Sequence, residues 1–326
     1  MFKHPGRRLR AALACAAALL GASYAMAQAP YPNRSITIIT PLAAGSASDV
    51  ALRLLADKLG VALKQPVVID NQPGASGAIG TEKVARATPD GYTLCGCNNA
   101  ILSVLPHIRK VNYDSIKSFK PVGMLAVLPT VLVVQGNSPI KSVKDLITLA
   151  KAHPETPYAT GGVGSPQHIA MAMFESIAGI KMVHVPYKGA SQAAVGLAGG
   201  EVQSMFNAIG TVLPLIKAGK LRPIASAGAT RAQSFPDVPT MQESGVPGYD
   251  YASWIGVTAP AGTPDEIVML LNTEMIKALK TPEMAARFAD QGLDPFITSP
   301  RQMADYMQAD IMRMAKAVKD AGIQPE

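Results

Sequence analysis

The chain has 326 residues, 48% of them apolar, and a formal charge of +7. This excludes a disordered chain and fits two domains of ordinary size. The charge does not point to nucleic acid: four of the 30 basic residues, and no acid, fall in the first 27 positions, and the remaining 299 residues carry only +3.

Those first positions read as an export signal. Lys3, Arg7, Arg8 and Arg10 precede a short apolar run from Ala11 to Gly21, and Ala25-Met26-Ala27 supplies small residues at a cleavage site. The run is shorter than the roughly 20 residues a membrane span needs. Cleavage after Ala27 is expected, which gives a soluble periplasmic protein. Cys15 raises lipid attachment as an alternative, although Ala12-Leu13-Ala14 before it is a poor lipobox.

The mature chain alternates short strands with helices. Ile36–Thr40 is β-branched, and Val50, Leu54, Leu55, Leu59 and Leu63 place a helix over 47–63. Strands are expected at 66–70 and 92–95, with a glycine-rich loop and helix over 74–87 between them. Apolar runs at 122–128 and 131–135 flank Pro129. Ser142 and Asp145 form a capping box for a helix ending near 152. Short strands follow at 158–160, 183–185, 202–206 and 224–227, with helices near 166–178, 189–198 and 210–218. This alternation argues for parallel sheets with helices on both faces.

After 254–259 the chain is expected to be all helical. Thr263, Thr281 and Ser299 each precede a proline and read as caps. With no repeat or linker, the candidate boundaries are the extended stretches near 128–133 and 250–257.

Cys95 and Cys97 lie on an expected strand. Two residues apart on a strand puts Cα atoms about 6.5–7 Å apart, at or past the disulfide limit. Two small, half-buried residues are the expectation. A strained C-x-C disulfide is the alternative in an oxidising compartment.

Two loops carry the chemistry. Pro41-Leu42-Ala43-Ala44-Gly45-Ser46-Ala47-Ser48-Asp49 follows the first strand, and Ser46 with Asp49 fits a capping box. Gly161-Gly162-Val163-Gly164-Ser165-Pro166-Gln167-His168 has Ser165 as cap and Pro166 at the first helical position. Both are small-residue loops that end at a helix N-terminus, where unpaired N–H groups bind anions without a cationic side chain. One such terminus in each half suggests a carboxylate clamped in a cleft. Four to six charge-assisted contacts of roughly 1.5–3 kcal/mol offset association costs and leave about −8 kcal/mol, micromolar affinity.

Enzyme signatures are weak. Gly-x-Ser-x-Gly is absent, and Gly74, Gly77 and Gly80 do not form the dinucleotide fingerprint. His107, His153, His168 and His184 show no metal spacing. His153 reads as a solvated helix end and His184 as a core residue; His168 alone sits on a candidate loop. No catalytic residue, cofactor or metal is expected.

The sequence resembles the Bordetella uptake gene (Bug) family, extracytoplasmic receptors of tripartite tricarboxylate transporters. The resemblance rests on Tyr31-Pro32-Asn33-Arg34, Asp70-Asn71-Gln72-Pro73-Gly74, Pro89-Asp90-Gly91-Tyr92, His184-Val185-Pro186-Tyr187-Lys188-Gly189, Pro236-Asp237-Val238-Pro239-Thr240 and Ala259-Pro260-Ala261-Gly262-Thr263-Pro264. It implies an α/β, two-domain, periplasmic-binding-protein-like (type II) flytrap with two crossover strands and a helical C-terminal tail. The first domain would comprise 28–130 plus 253–326, and the second 131–252. The implied function is capture of a small organic carboxylate and delivery to integral-membrane permease subunits, by a monomer without nucleic-acid partners. An exported hydrolase and a receptor feeding a sensor kinase are the alternatives.

The implied ligand-binding residues are Leu42, Ala43, Ala44, Gly45, Ser46, Ser48 and Asp49 on the first loop. Gly161, Gly162, Gly164, Ser165 and His168 belong to the second. Asn98 and Asn99 at a strand end, Lys188 and Asn207 complete the set. Leu42 and Gly45-Ser46 depart from the family pattern of an aromatic residue and a later Gly-Gly. Asn207 replaces a frequent Asp, which counts against a ligand carrying an ammonium group. Trp254, the only tryptophan, is a cleft wall or core.

Overall fold

The computed structural model describes residues 31–42, 44–320 and 322–323. The expected cleavage site after Ala27, Cys15 and the candidate ligand contact Ala43 lie outside them. From Arg34 onward the chain forms one compact unit holding two sheets.

The first sheet has six strands in the order β11-β4-β10-β3-β1-β2. These are β1 (Ile36–Thr40), β2 (Val67–Asn71), β3 (Thr93–Asn98), β4 (Phe119–Leu128), β10 (Ser253–Pro260) and β11 (Asp294–Pro295). The second has five strands in the order β7-β6-β8-β5-β9. They are β5 (Thr130–Gln135), β6 (Pro157–Thr160), β7 (Val183–Pro186), β8 (Ser204–Ala208) and β9 (Leu221–Ser226). Helix α1 (Ala47–Leu63) buries Leu52, Leu55 and Leu59. Of the residues whose spacing placed it, Leu55 and Leu59 are buried, while Val50, Leu54 and Leu63 are half-buried at the margins of that stripe. Gly96 lets it approach: a Cβ there would lie 2.5 Å from Leu52 Cδ1.

The sheets are mixed rather than parallel. β1 pairs parallel with β2 and β3, but β10 is antiparallel to both β3 and β4. β5 is likewise antiparallel to β8 and β9. The cause is the chain's path. It leaves the first sheet through β4, enters the second through β5 after Pro129 alone, and returns through β10. An outgoing strand beside a returning one must be antiparallel. The tail is not all helical either, because β11 adds a two-residue strand to β4.

Thr281 caps its helix as expected, and Ser299 exchanges hydrogen bonds with Gln302. Thr263 does not cap: the helix begins at Asp265, and its hydroxyl donates to the Pro260 carbonyl at 2.8 Å. Pro264 sits in an extended conformation and pushes the start one residue on.

Cys95 and Cys97 form a disulfide with Cα atoms 5.6 Å apart, and both are buried. β3 is pleated more tightly there than a fully extended strand, which corrects the longer separation expected from the sequence. The last helix of the described chain, Pro300–Asp320, packs on β4 of the first sheet and on the helix Pro166–Ala178 beside the second. Trp254 is fully buried beneath it and donates through Nε1 to Asp310 Oδ2 at 2.8 Å, so it belongs to the core.

Candidate functional site

Strand direction fixes where the two loops emerge. β1 and β3 end at the edge of the first sheet where β4 also ends, since Ser253 of β10 pairs with Leu128 and Ile255 with Asn98. In the second sheet, β6, β8 and β9 end at the edge where β5 begins, since Thr130 pairs with Ala208 and Val131 with Ser226. Only Pro129 separates β4 from β5. The two loop-bearing edges therefore face each other across that single residue.

The first loop closes around Asp49. Ser46 is the N-cap of α1, its side chain accepting from Asp49 N–H. The Asp49 carboxylate does not complete a capping box with Ser46 N–H, as the sequence suggested. It accepts instead from Gly45 N–H at 2.8 Å, one residue earlier, because Gly45 turns the chain with φ 79°. Arg53 Nε at 3.0 Å and Asn71 Nδ2 at 2.8 Å donate to it as well. Asn71 also donates to the Leu42 carbonyl and accepts from Arg53. Burial alone would raise the Asp49 carboxyl, but the bonds from Arg53, Gly45 and Asn71 outweigh it and hold it below the usual range. Asp49 is thus a strut inside the loop. Ala47 and Ser48 hold the N–H groups that no helical carbonyl can reach.

The second loop leads into α2 (Pro166–Ala178). Ser165 is the N-cap and accepts from His168 N–H. Gly164 N–H donates to His168 Nδ1 at 3.2 Å. Ser165 N–H donates to the Gly162 carbonyl, and Gly162 N–H to Thr160 Oγ1. Pro166 has no N–H, which leaves Gln167 N–H as the donor at this helix start. Gly161 is required by crowding: a Cβ would lie 2.9 Å from Ala190 N.

His168 is buried, and its ring stacks on His184 with centroids 4.1 Å apart. His184 also stacks on Tyr158 and pairs through Nε2 with Thr160 Oγ1 at 2.6 Å. Burial, reinforced by the neighbouring His184, pushes the His168 imidazole down to about 4. It is neutral at physiological pH, and the bond from Gly164 places its proton on Nε2.

The other candidates are more dispersed. Asn98 Oδ1 accepts from Ile101 N–H in the first residues of the π-helical turn Ala100–Val104, whose N-cap position is held by Asn99. Asn99 is buried and donates to the Ala252 carbonyl at 3.3 Å, tying β3 to the returning chain. Asn207 is fully buried, accepts from Ala208 N–H, and donates to Ala190 O at the start of helix Ala190–Gly199. Lys188 is exposed, as is Ala44, while Leu42 is half-buried. Arg53, Asn71 and Thr160 were not singled out from sequence, although Asn71 lies in the text that carried the resemblance. His184 was read as a core residue, but it is only half-buried and joins the second loop through its stack on His168.

A separate cavity of about 290 Å³ lies at the crossovers, lined among others by Thr130, Tyr251, Asp294, Phe296 and Tyr306. No residue of the two loops lines it. Among the described residues, no group of three His, Cys, Asp or Glu side chains is placed to hold a metal ion.

Comparison with known proteins gives a consistent result. A profile described as the tripartite tricarboxylate transporter family receptor matches residues 51–323. Protein BugT of Bordetella pertussis is 36% identical over 97% of this chain and 98% of its own length. An R. palustris protein solved with adipate is 35% identical, covers 91% of this chain and all of its own, and superposes with a TM-score of 0.72. MatC from Rhodopseudomonas palustris with bound malate is 30% identical over 88% of this chain and all of its own, with a TM-score of 0.68. A TctC solute-binding protein from Polaromonas without ligand is 28% identical over 89% of this chain and 99% of its own, with a TM-score of 0.83.

Proposed function

Because this chain belongs to the tripartite tricarboxylate transporter receptor family, we propose that it is a periplasmic receptor that captures a small organic carboxylate. The observation that carries this reading is the pair of capped helix starts, Ser46 before α1 and Ser165 before α2, on facing sheet edges. The adipate and malate in two similar structures, both dicarboxylates, agree with the chemistry of those loops.

In this reading the ligand's carboxylate accepts from amides of the first loop, including Ala47 and Ser48, and from Gln167 of the second. No arginine is spent on it; Arg53 is already held by Asp49 and Asn71. Residues 28–130 with 253–326 form one lobe and 131–252 the other. The lobes close about the β4–β5 and β9–β10 connections. After export and cleavage behind Ala27, the closed receptor delivers its ligand to membrane permease subunits.

The hydrolase alternative finds little support. His168 Nδ1 is occupied by Gly164 N–H, and the Ser165 hydroxyl serves as a helix cap. Calorimetric titration of the purified mature protein with adipate, malate, sugars and amines tests the proposal. Micromolar binding of a carboxylate is expected; binding of sugars or amines alone refutes it.

A further inference from the structure

The two loops share one spacing, Gly45-Ser46-Ala47-Ser48-Asp49 and Gly164-Ser165-Pro166-Gln167-His168. They also share one backbone. The glycines have φ 79° and 72°, and the serines φ −68° and −65° with ψ 157° in both. In each, the side chain four residues after the glycine accepts that glycine's N–H, at 2.8 Å from Asp49 and 3.2 Å from His168. A Cβ added at Gly45 or Gly164 would meet nothing within 4 Å, so no packed neighbour wedges either turn in place.

Resting on the receptor reading above, we propose that these are matched latches that set the two anion-facing helix starts, with Asp49 and His168 as positioning residues. The second opens when the His168 ring takes a proton, at a pH where the first is still shut.

The difference lies in the acceptors. A carboxylate has lone pairs enough for several donors, and Arg53 and Asn71 hold Asp49 ionised alongside Gly45. Imidazole Nδ1 accepts only while it carries no proton; once protonated it turns a donor toward the donor of Gly164. The titratable groups packed around that ring offer little relief. His184 of β7 stacks directly on it, and Tyr158 of β6 stacks on His184. Glu175, on the same helix as His168, acts on Tyr158 rather than on the imidazole. Among the described residues no carboxylate is hydrogen-bonded to the His168 ring.

The test uses the full mature chain labelled with 15N-glycine, without ligand, and follows the Gly45 and Gly164 amides from neutral pH to below the His168 value of about 4. The Gly164 resonance should titrate with that midpoint, and its protection factor, the exchange rate corrected for the intrinsic pH dependence of amide exchange, should fall about tenfold, the order of one lost hydrogen bond. Gly45 should stay unmoved over the same range. His168→Asn, a neutral acceptor, should abolish the titration and keep slow exchange. His168→Ala should show low Gly164 protection at every pH. An unprotected Gly164 at neutral pH, or the same acid midpoint in wild type and His168→Asn, overturns the proposal. Titrating adipate and malate into the same samples judges the receptor reading separately: no binding of either counts against that reading, while the latch stands or falls on the amides.

Discussion

Replacing Asp49 by Ala removes an acceptor of three donors at once: Gly45 N–H, Arg53 Nε and Asn71 Nδ2. Bonds to a charged group contribute roughly 1.5–3 kcal/mol each, but the sum overstates the loss. The Arg53 side chain is 48% exposed and rehydrates, and Gly45 also lies at the surface. Asn71 retains the Leu42 carbonyl and Arg53 as partners. A net destabilisation of about 2–3 kcal/mol remains, mainly from the half-buried amides. For a chain of this size that lowers Tm by about 3–5 °C. Carboxylate affinity should fall about tenfold, through a loosened first loop rather than a lost ligand contact. Asp49→Asn should lose less on both counts, since it keeps one acceptor oxygen. Differential scanning fluorimetry and calorimetric titration on the same preparations measure both quantities. Wild-type Tm together with wild-type affinity in Asp49→Ala would refute the strut. The pH sign follows from the lowered carboxyl: its stabilisation is present above the unfolded value of 3.8 and is lost as pH falls through the lower folded value.

His168 acts at higher pH. Its native value of about 4 lies below the ordinary 6.5, so its contribution is present above 6.5 and is lost between 6.5 and 4, at most about 3 kcal/mol; urea midpoints of wild type should decline over that window more steeply than those of His168→Asn. Gly161→Ala places a Cβ 2.9 Å from Ala190 N and should cost about 1–3 kcal/mol, read as a lowered urea midpoint. Thiol titration of the denatured, unreduced mature protein should find no free sulfhydryl, because Cys95 and Cys97 are joined; two reactive thiols would contradict the disulfide.

Local chemistry was legible in the sequence and long-range pairing was not. The helix from Ala47 to Leu63 was readable to the residue, because Ser46 caps it and leucines at helical spacing face the sheet. The helix Pro166–Ala178 was equally plain from Ser165 and Pro166. The antiparallel placement of β10 and β5 was hidden, because strand direction depends on where the chain crosses between sheets, not on residue alternation. β11 has only two residues and no pattern to read. Asp49 was read as a capping-box partner of Ser46, but Ser-x-x-Asp spacing does not say whether its carboxylate returns to Ser46 or to Gly45; the positive φ of Gly45 decides that. The repeated Gly-Ser-x-x spacing was in plain text, and a comparison of the two loops residue by residue would have exposed it. Arg53 and Asn71 were missed because they meet Asp49 from one helical turn on and from the neighbouring strand.

The interrupted first sheet also bears on how the chain folds. β5 to β9 lie within one continuous stretch, Thr130–Ser226, so the second sheet can assemble from contiguous sequence. The first cannot. β4 ends at Leu128, and its neighbour β10 begins only at Ser253. Pairing them closes a loop that contains the whole second sheet, and a long closure is entropically costly until that loop is itself compact. The order that minimises this cost is assembly of the inserted sheet first, which brings the two ends of the interrupted one together, and then docking of β10 between β3 and β4. The helix Pro300–Asp320, packed on elements of both sheets, can seat only after both have formed. A truncation that removes it should leave the inserted sheet the more protected of the two in hydrogen exchange.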